Sequence, residues 1–109
     1  MKIQRSVFYR YQHVTGPACV LVSLKFGMMP ADGPHILRVL SAKTVDPVPK
    51  FDVKNHVEEI LAGVERANSE LNGNLQVEAI EVVPHDYPSK LQANHVAYKI
   101  ACAVLNNEV

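Results

Sequence analysis

The stretch DVKNHVEEILAGVERANSELNGNLQVEAIEVV, residues 52–83, changes its apolar period part-way along. Up to Leu71 the residues Val53, Val57, Ile60, Leu61, Val64 and Leu71, with Ala67 between them, recur at steps of three and four. That spacing lays them along one stripe of an α-helix. Glu58, Glu59, Glu65, Arg66 and Glu70 fall mainly on the other side. Asp52 stands where an N-cap belongs, because its carboxylate can accept a free N–H of the first turn. Asn72-Gly73 ends the helix, since glycine takes the left-handed cap conformation without a Cβ clash. From residue 75 to 83 the period drops to two, as a strand requires. The alternation slips: Leu75, Val77 and Ala79 share one face, Ile80 and Val82 the other. Either a bulge shifts the register or the strand is buried on both faces.

Working outward, Asp46-Pro47-Val48-Pro49 can extend neither a helix nor a sheet interior and reads as a linker. Before it lie three strand-like segments. Residues 2–13 are rich in β-branched and aromatic side chains, and Thr15-Gly16-Pro17 breaks them. Residues 18–27 place Val20, Val22, Leu24 and Phe26 on one face. The segment 29–34, MPADGP, is a turn, and residues 35–43 make a third strand. Two short connections in a row predict an antiparallel meander.

Downstream of the fourth strand, Ser89-Lys90-Leu91-Gln92 fits a capping box. Ala93, Val96, Ala97, Ile100, Ala101, Val104 and Leu105 then form the apolar face of a second helix. The order is β-β-β-α-β-α with both helices apolar on one side only. The expected fold is therefore α+β: a two-layer sandwich, a four-stranded mixed sheet with two helices on one face. The other face would carry Cys19, Leu21 and Ser23, joined by two of Val7, Tyr9 and Tyr11. So apolar a face predicts a homo-oligomer or a docked protein partner.

At 109 residues the chain reads as a single domain spanning 1–109, with 48% apolar and 20% charged residues, ordinary for a globular protein that buries its own core. Lys+Arg and Asp+Glu are both 11, so the basic excess typical of a dedicated nucleic-acid binder is absent. No apolar run is long enough to cross a membrane, and the N-terminus lacks the continuous apolar stretch of a signal peptide. Cys19 and Cys102 sit in apolar runs and read as reduced, buried thiols of a cytosolic protein. No His or Cys pair has short metal-ligand spacing, and His56 and His95 fall on different helices, so neither a metal nor a cofactor is expected. Without a GxxxxGK[ST] loop the chain is no P-loop GTPase.

The element order, with PVPKFDVKNHVEEILAG and VEAIEVVPHDYPSKLQANHVAYKIACAVL, resembles domain IV of bacterial translation elongation factor G. Its fold is that of the second domain of ribosomal protein S5, with a left-handed βαβ crossover. The likeness covers about Tyr9 to Leu105, and its clearest parts are the proline-led start of the first helix and Val96-Ala97-Tyr98-Lys99-Ile100-Ala101. In that family two loops at the domain tip touch transfer and messenger RNA in the ribosomal decoding site. The resemblance implies that residues 11–17 and 84–89 are those loops, with Arg10, His13, Gly16, His85, Asp86 and Tyr87 as binding residues and the ribosome or RNA as partner. The plain reading of 84–89 is the entrance to a helix. A catalytic reading, with His85 paired to Asp86 or Tyr87, would need an orienting partner within hydrogen-bond reach of the imidazole. The expected function is thus a non-catalytic cytosolic binding domain. The alternatives are a self-associating protein without RNA binding and a small enzyme using His85.

Overall fold

Two antiparallel strands are joined by the tight hairpin the sequence implied at Gly16-Pro17. In the computed structural model, which describes residues 3–39, 51–84 and 86–109, strand β2 (Tyr9–Thr15) pairs with β3 (Ala18–Phe26) from Tyr9↔Leu24 to Thr15↔Ala18. A short strand β1 (Gln4–Arg5) folds back on β2, Gln4 opposite Arg10. The expected single strand over 2–13 is therefore two, separated by a bend at 6–8 where the Ser6 N–H bonds to the Phe8 carbonyl. Strand β4 (His35–Arg38), helix α1 (Val53–Leu71), strand β5 (Val77–Val82) and helix α2 (Gln92–Leu105) complete the order. The predicted third strand over 35–43 is seen to Arg38. Its end and the linker at 46–49 lie outside the described residues.

The five strands run β1-β2-β3-β5-β4, antiparallel except for the parallel β4–β5 pair. The predicted meander stops after β3: β5 enters between β3 and β4. Two bonds explain the detour. The Gly27 N–H donates to the Gln76 carbonyl and the Met29 N–H to the Gln76 side chain, 3.0 and 3.1 Å. The chain leaving β3 is thus tied past the start of β5 and cannot fold straight back.

Of the two explanations for the slipped alternation in β5, the bulge holds. Lys25 pairs with Ala79 and Phe26 with Val77, leaving Glu78 without a partner across the ladder. The Glu78 carboxylate turns instead to the Lys25 ammonium at 2.6 Å. The extra residue brings Val77 onto the core face with Ile80 and Val82, while Ala79 is buried on the opposite face beside Lys25.

One core lies between the sheet and the helices, with α2 over β2 and β3 and α1 over β5. Val20, Val22 and Leu24 are fully buried there against Ile60, Val64, Ile100 and Ala97. Each such Val, Leu or Ile contributes roughly 1.5–3 kcal/mol. At the helix crossing Gly63 meets α2 backbone to backbone: a Cβ on it would stand 3.0 Å from the Tyr98 nitrogen and collide with the Asn94 carbonyl oxygen. The first helix begins as predicted, the Asp52 carboxylate accepting the Asn55 N–H at 3.2 Å. At its end Asn72, not Gly73, takes the left-handed position.

The sheet's second face is more polar than expected. Tyr9 and Tyr11 pair with Leu24 and Val22 and so lie on the helix side. Opposite the helices stand Arg10 and Ser23, with the Glu81 carboxylate between them: Arg10 Nε is 2.8 Å and Ser23 Oγ 2.5 Å from Glu81 Oε1. Cys19 and Cys102 are free thiols, and both are half-buried, not enclosed as the sequence suggested.

Candidate functional site

The hairpin tip and the segment between β5 and α2 meet at one end of the molecule. Gly16 has φ +56°, with no atom within 4 Å of where a Cβ would be. Dihedral freedom, not space, demands glycine in this two-residue loop. Pro84, fully buried, ends the β5 ladder because it has no N–H to donate. The first half of β3 would then lack a partner on that side. Residues 86 and 87 supply one. Tyr87 exchanges both backbone bonds with Cys19, at 2.9 and 3.0 Å, and the Asp86 carboxylate accepts the Leu21 N–H at 2.8 Å. Asp86 thus stands in for a missing backbone acceptor. It is only 8% exposed, and burial raises its carboxyl above the ordinary value while the Leu21 bond pulls the other way.

Gln92 fastens this end to α2. Its side-chain oxygen accepts the Ser89 N–H at 2.9 Å, which is half of the predicted capping box. The Ser89 hydroxyl does not cap; it leans on the same Gln92 oxygen at 3.4 Å. Helix α2 starts only at Gln92, after Leu91 in the left-handed region at φ +65°. A branched residue held there costs about 1–3 kcal/mol. The Gln92 amide nitrogen reaches His13 Nδ1 at 2.8 Å, and the His13 ring stands edge-on to His95.

Of the residues the sequence proposed, His13, Gly16, Asp86 and Tyr87 do come together at this end. Arg10 does not join them, being committed to Glu81 on the open face, and His85 lies outside the described residues. Asp86 serves the backbone, and only the Tyr87 ring projects. With Tyr87 at 65% exposure, Val14 at 63% and Leu91 at 57%, the end carries a rim of uncovered apolar and aromatic side chains. Gln92 and Leu91 were missed as site residues because the capping-box pattern assigns them to the helix.

A second place went unrecognised as a site. His56, 3% exposed, faces a cavity of about 200 Å³ formed by Phe51, Asp52, Asn55 and Glu59 on one side and Pro88, Ser89 and Lys90 on the other. Among the described residues neither ring nitrogen has a hydrogen-bond partner. Leaving a buried polar atom unmet costs about 1–3 kcal/mol. Burial lowers the imidazole to about 4 from 6.5, so it is neutral. The signal was in the spacing: His56, Ile60, Gly63, Val64 and Ala67 form the buried row of α1. Val53, Val57 and Leu61 flank it. No group of three His, Cys, Asp or Glu among the described residues is placed to hold a metal ion, and no described helix is long and apolar enough to cross a membrane.

The chain matches no protein-family model, and no curated protein or solved structure matches it.

Proposed function

We propose that this protein is a binding domain that engages RNA, in a ribosomal setting, through the end where the β2–β3 hairpin meets residues 84–91. The observation that carries this reading is the exposed rim of Val14, Tyr87 and Leu91 on segments pinned by the Tyr87–Cys19 bridge. Aromatic side chains held on a rigid base are what unstacked bases pack against. The resemblance to elongation factor G domain IV supports the same end, because its two RNA-touching loops correspond to residues 11–17 and 84–89. With a net charge of zero, few phosphates would be neutralised, so binding should weaken only gently with salt. Sedimentation with ribosomes across a salt series tests this. Co-migration at low salt that Tyr87→Ala abolishes is the expected result; no co-migration of the wild type at low salt overturns it.

A second reading, self-association, has its own observation. Strand β4 is one edge of the sheet among the described residues, and beside it Ile36, Val53, Val57 and Leu61 line an apolar groove with Lys54 and Glu58 on the rim. A two-fold axis there would set Lys54 opposite Glu58 of a second copy, the self-complementarity an isologous contact needs. Light scattering decides: a dimer that Ile36→Lys converts to monomer supports it, a monomeric wild type rejects it.

A further inference from the structure

We infer that His13 and Gln92 form a proton-operated latch that holds or frees residues 88–91. Its use rests on the reading that this end meets RNA; the latch itself is a property of the fold. The Gln92 side chain is 6% exposed and makes its bonds from opposite ends of the amide. The oxygen accepts the Ser89 N–H at 2.9 Å, and the nitrogen reaches His13 Nδ1 at 2.8 Å. A backbone N–H can only donate, so the oxygen belongs to Ser89 and Nδ1 has to offer its lone pair. The ring is therefore neutral, with its hydrogen on Nε2. A further proton can go only to Nδ1, and it then meets the amide N–H, donor against donor. A half-turn of the amide relieves this. The oxygen then accepts from the cationic ring in a charge-assisted bond. The Ser89 N–H loses its acceptor, and the His13 carbonyl loses the amide nitrogen that lies 3.3 Å from it. Because His13 and Ser89 lie at opposite ends of the amide, one oxygen cannot serve both.

The freed segment is the one that carries the rim. Two bonds close the turn from Ser89 to Gln92: the Gln92 N–H to the Ser89 carbonyl at 3.1 Å, and the Ser89 N–H to the Gln92 side chain. Between them Leu91 is held at φ +65°, a conformation a leucine keeps only where its surroundings impose it. The proton removes the second bond, and the exposed Ser89 N–H passes to water. Leu91, part of the uncovered rim, is then held by one bond instead of two. Histidine is the side chain whose charge ordinarily changes between about pH 5 and 8, so the step falls in a range a cell can reach. Two other titratable rings stand beside His13: Tyr11 on its own strand at 6.1 Å and His95 on α2 at 6.2 Å, centroid to centroid. Strand β3 sets the apolar Val20 opposite it. On the segment before α2, the Asp86 carboxylate is bonded to the Leu21 N–H, and Lys90 lines the cavity with Asp52 and Glu59. One bond is exchanged for another, so the step is local and leaves the core in place.

The test is NMR of the free protein from pH 7.5 to 5, following the His13 ring, the Gln92 side-chain amide and the Ser89 N–H. Exchange of the Ser89 N–H, corrected for its ordinary dependence on hydroxide, should quicken by about threefold to tenfold as the bond is lost. The change should share its midpoint with the His13 ring, and the Gln92 amide signals should shift with it. His13→Phe, which keeps an aromatic ring but takes no proton, should show no step and a protected Ser89 throughout; His95→Gln should keep the step. A step that survives in His13→Phe, or a Ser89 N–H that does not follow the His13 ring, overturns the latch. Ribosome sedimentation at pH 7.5 and 5.5 reads its use. Co-migration of the wild type should fall in acid by the same factor, while that of His13→Phe stays level. A rise in the wild type would mean that the added positive charge governs the contact, and would overturn the regulation. A wild type that co-migrates at neither pH removes the ribosomal reading and leaves the latch standing on its Ser89 signal.

Discussion

The side chain of Gln92 bridges two segments that are far apart in the chain: its nitrogen lies 2.8 Å from His13 Nδ1 and its oxygen accepts the Ser89 N–H at 2.9 Å. The Ser89 bond fixes which end of the amide is oxygen. The nitrogen therefore faces His13, whose Nδ1 must be the acceptor. One buried amide thus sets the start of α2, the path of residues 88–91 and the His13 tautomer together. Gln92→Ala should lower stability by about 1–3 kcal/mol, because the Ser89 N–H and the His13 ring both lose their partner. Denaturant unfolding measures the loss. Hydrogen exchange should quicken at Val14–Ala18 and at 86–91 more than in the helices. A uniform change across the chain would mean that Gln92 does not serve this end in particular.

Gly63 reports on the helix crossing. A methyl group there has to push the Asn94 carbonyl and the Tyr98 nitrogen away, and neither is a flexible side-chain end. Gly63→Ala gains helix propensity worth up to about 1 kcal/mol. Forced separation of two packed helices typically costs 1–3 kcal/mol and more when backbone must move. The clash should win, and thermal unfolding should show a lower midpoint. A midpoint at or above that of the wild type would mean that the helices lie further apart.

Much of the fold was legible because α1, α2 and the buried row of β3 are decided by local periodicity. The insertion of β5 between β3 and β4 was not, since the bonds from Gly27 and Met29 to Gln76 join segments far apart in sequence. The faces of β2 were misassigned for a similar reason. In YRYQHV every second residue is aromatic or apolar at one reading, but only the register Tyr11↔Val22 shows that the tyrosines go to the core and Arg10 to Glu81. At the site, Gly16 and Tyr87 were legible from turn chemistry and composition. Asp86 was read as a binding residue of the loop because nothing local shows that the Leu21 N–H would lack a backbone partner. His56 was hidden by its neighbours: a stripe centred on Val53 and Val57 places it just off the apolar row that it in fact begins.

Tyr98 gives a prediction at high pH. Its hydroxyl donates to Glu70, and the negative carboxylate beside it resists formation of the phenolate, as does Cys102; the phenol is pushed up to about 12. The Arg66 guanidinium over the ring, 4.0 Å from its centroid, does not offset this. Ultraviolet titration should show one tyrosine ionising last, and Glu70→Gln should bring it back toward the ordinary value. Unchanged titration in Glu70→Gln would assign the effect to another group.

Mild acid should destabilise the protein through His56. Its folded value is about 4, against 6.5 for an unperturbed histidine. Between those values the unfolded chain binds a proton that the folded chain refuses, so stability falls as pH drops from 6.5 and the loss is complete below about 4. At about 1.4 kcal/mol per unit, the full effect is on the order of 3 kcal/mol. Asp86 acts in the opposite sense. Burial raises its carboxyl, so in the folded state it takes up a proton before the unfolded chain does, and stability gains as pH falls through that interval. The two overlap in acid, and His56→Phe separates them. That variant should lose the decline between pH 6.5 and 4, and should exceed the wild type in stability at pH 5, because an apolar ring neither titrates nor leaves ring nitrogens unmet. Denaturant midpoints measured from pH 7.5 to 4 give the answer. An equal decline in the wild type and in His56→Phe would show that the buried imidazole takes up its proton without cost to the fold.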